Sequence, residues 1–389
     1  MLTTEVDMLR KENSNLTQRL RAASDHVIEN PSATNTRIFS YTEFKNFKIC
    51  KQNGCRVMCT HPNNKLIIIS KKSENPNLFP GYGICKLNLD NMDCKNFSTE
   101  FIRLHKSRIR DMSISPFEPA SLLTCSLDKT IRITNLANNA LVQEYLCDYP
   151  IWSCMWDPET PTRIYAGLAN GTVTIFDIRN TTRSAETVVL DYSTTSTRLH
   201  GSPVVSLQPI SIKVAKNSYI SGIATATSEH VFVIEKQDSC FKSHLVSQPS
   251  GRVMSMATDA THRRCLISQR PKGFVKNCQQ TVGKFSKTIS KDNTEAYKFT
   301  SEFMIGGGSC STLLTRSTIY SPMNSDELCV AFGNEDDCSI YLSGLKSASV
   351  CKIVSKYGNV VDLSPIWYDQ WHYLLGLTES DCTLYKYIV

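Results

Sequence analysis

The chain has 389 residues, 20% of them charged and 41% hydrophobic, a composition that excludes a disordered or collagen-like chain and allows a large core. Its net charge of +7 is compatible with nucleic acid nearby, but so mild an excess does not imply contact, and direct nucleic-acid binding is not expected. The sixteen cysteines are scattered with no Cys-x-x-Cys pair, which argues against a zinc ribbon, RING or treble-clef site. With no apolar signal region and no apolar run near the ~18 residues of a membrane span, an intracellular, reducing setting without membrane insertion is expected.

Residues 1–28 are predicted to form a coiled-coil helix. Leu2, Leu9 and Leu16 recur every seven residues, and Val6, Asn13 and Leu20 do the same at the 3/4 offset that places both sets on one seam. A lone helix of this length is marginal in water. An Asn at a core position, Asn13, fixes register and oligomer state at a cost in stability, so the helix is expected to make the chain a homo-oligomer. Residues 29–49 read as a linker followed by an alternating extended segment, TRIFSYTEFKNFKI (36–49), suited to complete a sheet elsewhere.

From residue 50 onward the sequence repeats itself. Shifted by 42 positions, Ile109 falls on Ile151, Pro116 on Pro158, Asp128 on Asn170, Thr130 on Thr172 and Ile133 on Ile175, without a gap. Each copy reads as a strand, a short loop, a small-residue strand, an Asp or Asn turn and a β-branched strand, with a fourth strand after it. Four-strand units of ~40–45 residues are propeller blades. The predicted fold class is all-β: a seven-bladed WD-repeat β-propeller over 50–389 behind the helix. The last blade runs out after its third strand, so residues 36–49 are expected to supply the fourth, because an unpaired edge would expose backbone donors and acceptors. Two segments read as inserts: 183–202, a polar loop after a strand, and 270–300, a polar excursion carrying Lys272, Lys276, Lys284, Lys287 and Lys291.

His105, Ser126 and Asp128 hold the parts of a nucleophilic triad, but their repeat context makes them a structural network tying a loop to a turn within one blade. Asn170 and Asp381 occupy the same turn position in other blades. The Trp that usually completes such a network is Thr134 in the first of these blades. The glycine run at 306–308 lacks the Gly-Lys-Ser/Thr of a phosphate cradle and reads as a junction between blades. No catalytic, metal or cofactor set is recognised. The working face is expected to be the loops leading into each first strand and joining the second to the third, with Lys106, Arg108, Tyr149, Trp152, Lys356 and Tyr357 as partner-binding candidates.

Three stretches carry a more specific resemblance: IWSCMWDPETPTRIYAGLANGTVTIFDIRNT, NLFPGYGICKLNLDNM ahead of LHKSRIRDMSISP, and GGGSCSTLLTRSTIYSP. Together they resemble the nuclear RING-finger and WD-repeat ubiquitin-protein ligase family, from about residue 50 to the C-terminus. The resemblance implies a propeller that docks replication protein A in the DNA damage response and interstrand-crosslink repair, a coiled coil that supports association, ubiquitination machinery as a further partner, and a nuclear location with the cytoplasm also open. In that family a zinc-binding RING precedes the coiled coil. The first cysteine here is Cys50, so the chain as given is expected to hold no zinc or other cofactor and not to transfer ubiquitin alone. A plain WD-repeat scaffold with no ubiquitin role is the alternative.

Overall fold

The computed structural model describes residues 40–63, 65–91, 100–182, 184–192, 201–237, 240–289, 295–322 and 327–388. The heptad residues Leu2, Val6, Leu9, Asn13, Leu16 and Leu20 lie outside them. The described chain is almost entirely strand. β1 (Ser40–Lys48) is followed by β2 (Met58–Thr60), β3 (Leu66–Lys72), β4 (Tyr82–Asn88) and β5 (Glu100–His105) in a first blade, and by β6 (Ile109–Ile114), β7 (Ser121–Ser126), β8 (Thr130–Asn135) and β9 (Leu141–Leu146) in a second. The third holds β10 (Ile151–Trp156), β11 (Arg163–Leu168), β12 (Thr172–Asp177) and β13 (Glu186–Val189). The fourth holds β14 (Val204–Ala215), β15 (Ser218–Thr227), β16 (Val231–Gln237) and β17 (Cys240–Ser247). Next come β18 (Arg252–Asp259), β19 (Arg264–Arg270), β20 (Gln279–Ile289) and β21 (Glu295–Gly306), then β22 (Thr318–Tyr320), β23 (Cys329–Asn334), β24 (Ser339–Gly344) and β25 (Val350–Val354). The seventh blade contains β26 (Val360–Tyr368), β27 (Trp371–Thr378) and β28 (Asp381–Ile388), and β1 pairs antiparallel with β28 as its outer strand.

Among the described residues these strands form five sheets of four strands and one of eight. The larger sheet is the fourth and fifth blades fused by a short parallel pairing, Ile212 opposite Phe285 and Lys213 opposite Ser286. The segment 270–300, expected as an insert, is therefore mostly the third and fourth strands of the fifth blade. Two of its lysines, Lys284 and Lys287, stand on the third of these strands, where an apolar pattern would have marked it.

Burial follows position in the sheet. β11, a second strand, is buried on both faces, whereas the outer β9 and β13 alternate, because one face meets a neighbouring blade and the other meets water. Among the described residues, seven apolar clusters lie between consecutive blades. One joins the first blade to the second around Ile84 and Ile109, and the rest follow in sequence order. The last cluster packs Ile67, Ile69 and Leu87 of the first blade against Leu375, Leu377 and Leu384 of the seventh, so the order of blades returns on itself. The fit is close enough to demand glycine at 167: a Cβ there would meet Ser153 Oγ at 2.3 Å and Val204 Cγ1 at 2.6 Å.

A polar residue near the start of most inner strands ties each blade to the next. Asp111 Oδ2 accepts from Cys154 N (3.1 Å), Ser153 Oγ donates to Val204 O (2.8 Å) and Ser206 Oγ accepts from Met256 N (3.3 Å). Ser255 Oγ accepts from Ser317 N (3.4 Å), Thr315 Oγ1 donates to Val360 O (2.9 Å), and Asp362 Oδ2 accepts from Met58 N (2.8 Å), joining the last blade to the first. These bonds satisfy backbone groups that no strand pairing reaches.

Candidate partner-docking face

In blades of four antiparallel strands, the links from an outer strand to the next inner strand and from the second strand to the third fall at the same end. That end holds every candidate named above. His105 closes β5, and its Nδ1–H donates to Asp128 Oδ2 (3.1 Å) while Nε2 accepts from Thr124 Oγ1 (2.9 Å). Burial keeps the imidazole neutral, lowering its pKa against the pull of Asp128. Burial opposes ionisation of Asp128 too, but His105, Thr130 and the Lys106 N–H outweigh it and hold the carboxyl well below its usual range. The hydroxyl that completes this network is thus Thr124 and not Ser126. Side chains two apart in a strand share a face, and Ser126, at the strand end, donates to Ser107 O (2.9 Å) and accepts from Asp128 N (3.2 Å).

Asn170 makes the equivalent turn in the third blade, its Oδ1 accepting from Thr172 N and Oγ1 (3.2 and 2.8 Å) ahead of Gly171 at φ +84°. Asp381 does different work. It accepts from Asn46 Nδ2 (3.1 Å) and Lys48 Nζ (3.0 Å), so this turn residue holds β1 against the seventh blade.

The centre of the face is basic and aromatic. Arg56, Arg108, Arg110, Trp152 and Arg316 all sit at or just before the first residues of inner strands, which puts them around the mouth of the central channel. Arg316 Nη1 pairs with Asp111 Oδ1 at 2.8 Å and its Nε lies 3.8 Å from Asp362 Oδ1. Those carboxylates overcome burial and hold Arg316 charged. Arg56 donates to the carbonyls of Leu313 and, at 2.6 Å, Leu314. Burial and then repulsion by Arg110, Arg316 and Arg108 lower its pKa to about 10.

Arg110 has no such partner. Its guanidinium lies 4.2 Å from the centre of the Trp152 ring, its Nε is buried without an acceptor, and no described residue pairs with its charge. Arg56, Arg110 and Arg316 did not stand out in the sequence, although a signal was there: Arg110 directly precedes the polar tie Asp111, Arg316 directly follows the polar tie Thr315, and Arg56 lies two residues before Met58, whose N–H the Asp362 tie accepts.

Around this centre, Lys106 and Arg108 are exposed and Tyr149 is 47% exposed. Lys356 and Tyr357 belong to a different neighbourhood, toward the outer edge of the seventh blade. Lys356 Nζ pairs with Glu43 Oε2 (2.8 Å) and Tyr357 OH donates to Glu43 Oε1 (3.1 Å), so both hold β1. The junction of 307–317 crosses the same end, with Ser309 N and Cys310 N bonded to Asp336 and Thr312 N and Leu313 N to Glu335. Its amides already hold carboxylates, which rules it out as a phosphate cradle.

Among the described residues one group, Glu235, His244 and Glu295, has metal-ligand spacing. The ammonium of Lys287 already stands there, 2.9 Å from both carboxylates, and the residues do not fit a resident metal. No long apolar helix suited to crossing a membrane is found among the described residues.

A sequence profile described as "E3 ubiquitin-protein ligase RFWD3 WD40 domain" matches residues 41–386. The chain is 28% identical over 392 residues to E3 ubiquitin-protein ligase RFWD3 of Homo sapiens, covering 99% of this chain and 49% of that protein. It is 29% identical over 350 residues to the protein of the same name in Mus musculus, covering 89% and 44%. It thus spans about half the length of the curated relatives it matches.

Proposed function

Because this chain belongs to the RFWD3 WD40-domain family, we propose that it is the partner- and substrate-recognition part of a RING-type ubiquitin-protein ligase of the nucleus. In this reading it acts in the DNA damage response and interstrand-crosslink repair, docks replication protein A through the face just described, and self-associates through residues 1–28. Zinc and the ubiquitin-transfer step belong to a RING and not to the residues described.

The observation that carries the reading is Arg110. A guanidinium over the Trp152 ring, with three further arginines close by and its Nε without an acceptor among the described residues, is an arrangement that a partner's acidic group completes. Arg and Trp at the centre of a face are also the residue types in which binding energy concentrates. Titration calorimetry of the purified chain with replication protein A tests the reading, with Arg110→Ala as the comparison. Binding at micromolar concentration that weakens in the variant supports it. A folded wild-type chain that does not bind at that concentration would leave the scaffold alternative standing.

A further inference from the structure

The connection from β1 to β2 carries two cysteines that the docking reading does not use. Cys50 Sγ and Cys55 Sγ are 3.2 Å apart, both side chains are buried, and the three residues after Cys50 are exposed. The backbone on either side is pinned to the last blade: Ile49 N and Cys50 N donate to Ser380 O, and Gly54 N and Cys55 N donate to Glu379 O. A ligand role would require further donors, and no third metal-binding group lies with these two sulfurs among the described residues. A cavity walled by Cys50, Lys51, Asn53, Lys72 and Glu74 opens beside the pair and gives a small molecule a way in.

We propose that Cys50 and Cys55 are a peroxide-responsive dithiol, oxidised by hydrogen peroxide to an intramolecular disulfide that closes the loop of residues 51–54 in the segment leading into the first blade, beside its seam with the last. Bond formation needs the sulfurs to close by about 1.2 Å, from 3.2 Å to the ~2.0 Å of a disulfide, and the exposed loop of Lys51, Gln52 and Asn53 can absorb that movement. The two thiols are not equivalent. The hydrogen bond from Cys55 lowers the pKa of Cys50 against its burial, and Lys71 adds to the effect. The same bond and burial raise that of Cys55. Cys50 also lines the cavity, which Cys55 does not, so Cys50 is the attacking thiolate.

Its sulfur takes one oxygen from hydrogen peroxide, breaking the O–O bond and giving a sulfenic acid and hydroxide, which is neutralised by the proton Cys50 had released. Cys50 is then uncharged, so the negative neighbour that kept Cys55 protonated is gone. The Cys55 sulfur attacks that of Cys50, the S–O bond breaks, and the hydroxyl leaves as water with the Cys55 proton. In sum two thiols lose two electrons and two protons, and one peroxide becomes two waters.

The test treats the full chain with hydrogen peroxide, blocks remaining thiols under denaturing conditions and digests with trypsin. Cleavage after Lys48, Lys51 and Arg56 separates the cysteines, so the expected product is peptide 49–51 joined to peptide 52–56 and released by reductant. Cys55→Ser should leave a Cys50 sulfenic acid that dimedone traps, and Cys50→Ser should leave Cys55 unmodified. The joined peptides come from the wild-type chain, so that readout survives a variant that fails to fold. If the exposed Cys240 and Cys310 are oxidised while Cys50 and Cys55 both remain alkylatable, the proposal is wrong. It is equally wrong if dimedone marks Cys55 and not Cys50.

Discussion

The Asp362 carboxylate accepts the Met58 backbone N–H at 2.8 Å while its other oxygen, 3.8 Å from Arg316 Nε, takes the Leu363 N–H at 2.9 Å. A single buried side chain thus joins the seventh blade to the first and helps neutralise the channel mouth. Burial raises its pKa, and Arg316, Met58 N and Arg56 act against that rise. Asp362→Ala leaves a buried N–H without an acceptor and an arginine short of one counter-charge, and is expected to cost about 3 kcal/mol in urea unfolding. Asp362→Asn keeps an acceptor and should cost less.

Arg110 and Trp152 give the opposite pattern. Because no described carboxylate depends on Arg110, Arg110→Ala should leave the urea midpoint nearly unchanged. It should weaken partner binding by about 2 kcal/mol, roughly 30-fold, in calorimetry. Trp152→Ala should weaken binding as well, through loss of the stacking surface. Raised salt should reduce wild-type affinity more than that of Arg110→Ala. Equal salt dependence in both would place the docking charge elsewhere.

His372 links acid sensitivity to packing. Its Nδ1 lies 3.1 Å from Tyr41 OH, its ring stacks on Tyr320, and burial lowers its pKa to about 4. The unfolded chain takes up a proton near pH ~6.5 while the folded chain resists until about 4, so folding stability falls as pH drops through that window. The loss amounts to about 3 kcal/mol at its lower end. His372→Gln should flatten the dependence in unfolding measured between pH 7 and pH 4.

The His105 network separates two hydroxyls of the same strand. Thr124→Val removes the Nε2 partner from a buried imidazole and should cost about 1–3 kcal/mol. Ser126→Ala forfeits a bond to a loop carbonyl and should cost about 1 kcal/mol. A larger loss for Ser126→Ala in thermal or urea unfolding would reverse the assignment.

The 42-residue offset read from the sequence is the offset of the strands themselves. β6, β7 and β8 begin at 109, 121 and 130, and β10, β11 and β12 at 151, 163 and 172. Apolar alternation made that repeat readable, and its failure in β20 hid half of the fifth blade. There Lys284 and Lys287 occupy strand positions because Glu302, Glu235 and Glu295 lie opposite to receive them, a compensation that exists only after folding. The same reason explains Arg110. Its neighbours in the chain do not reveal that it lacks an ion-pair partner among the described residues, which depends on Asp111 pairing with Arg316 more than 200 residues away. Thr124 and Ser126 were both visible, and only depth in the strand tells which one reaches the imidazole.

The pairing of Tyr41 with Tyr387 sets a schedule for a chain emerging from the ribosome. The N-terminal strand of that pair leaves first, and its partner follows 346 residues later, roughly 20–70 s at ordinary elongation rates. For that interval six blades can assemble, while β1 has no ladder to join and keeps its backbone donors and acceptors open. The alternating charges of SYTEFKNFK, with Glu43, Lys45 and Lys48 along one short strand, suit a segment that must wait in water without pairing to another nascent chain.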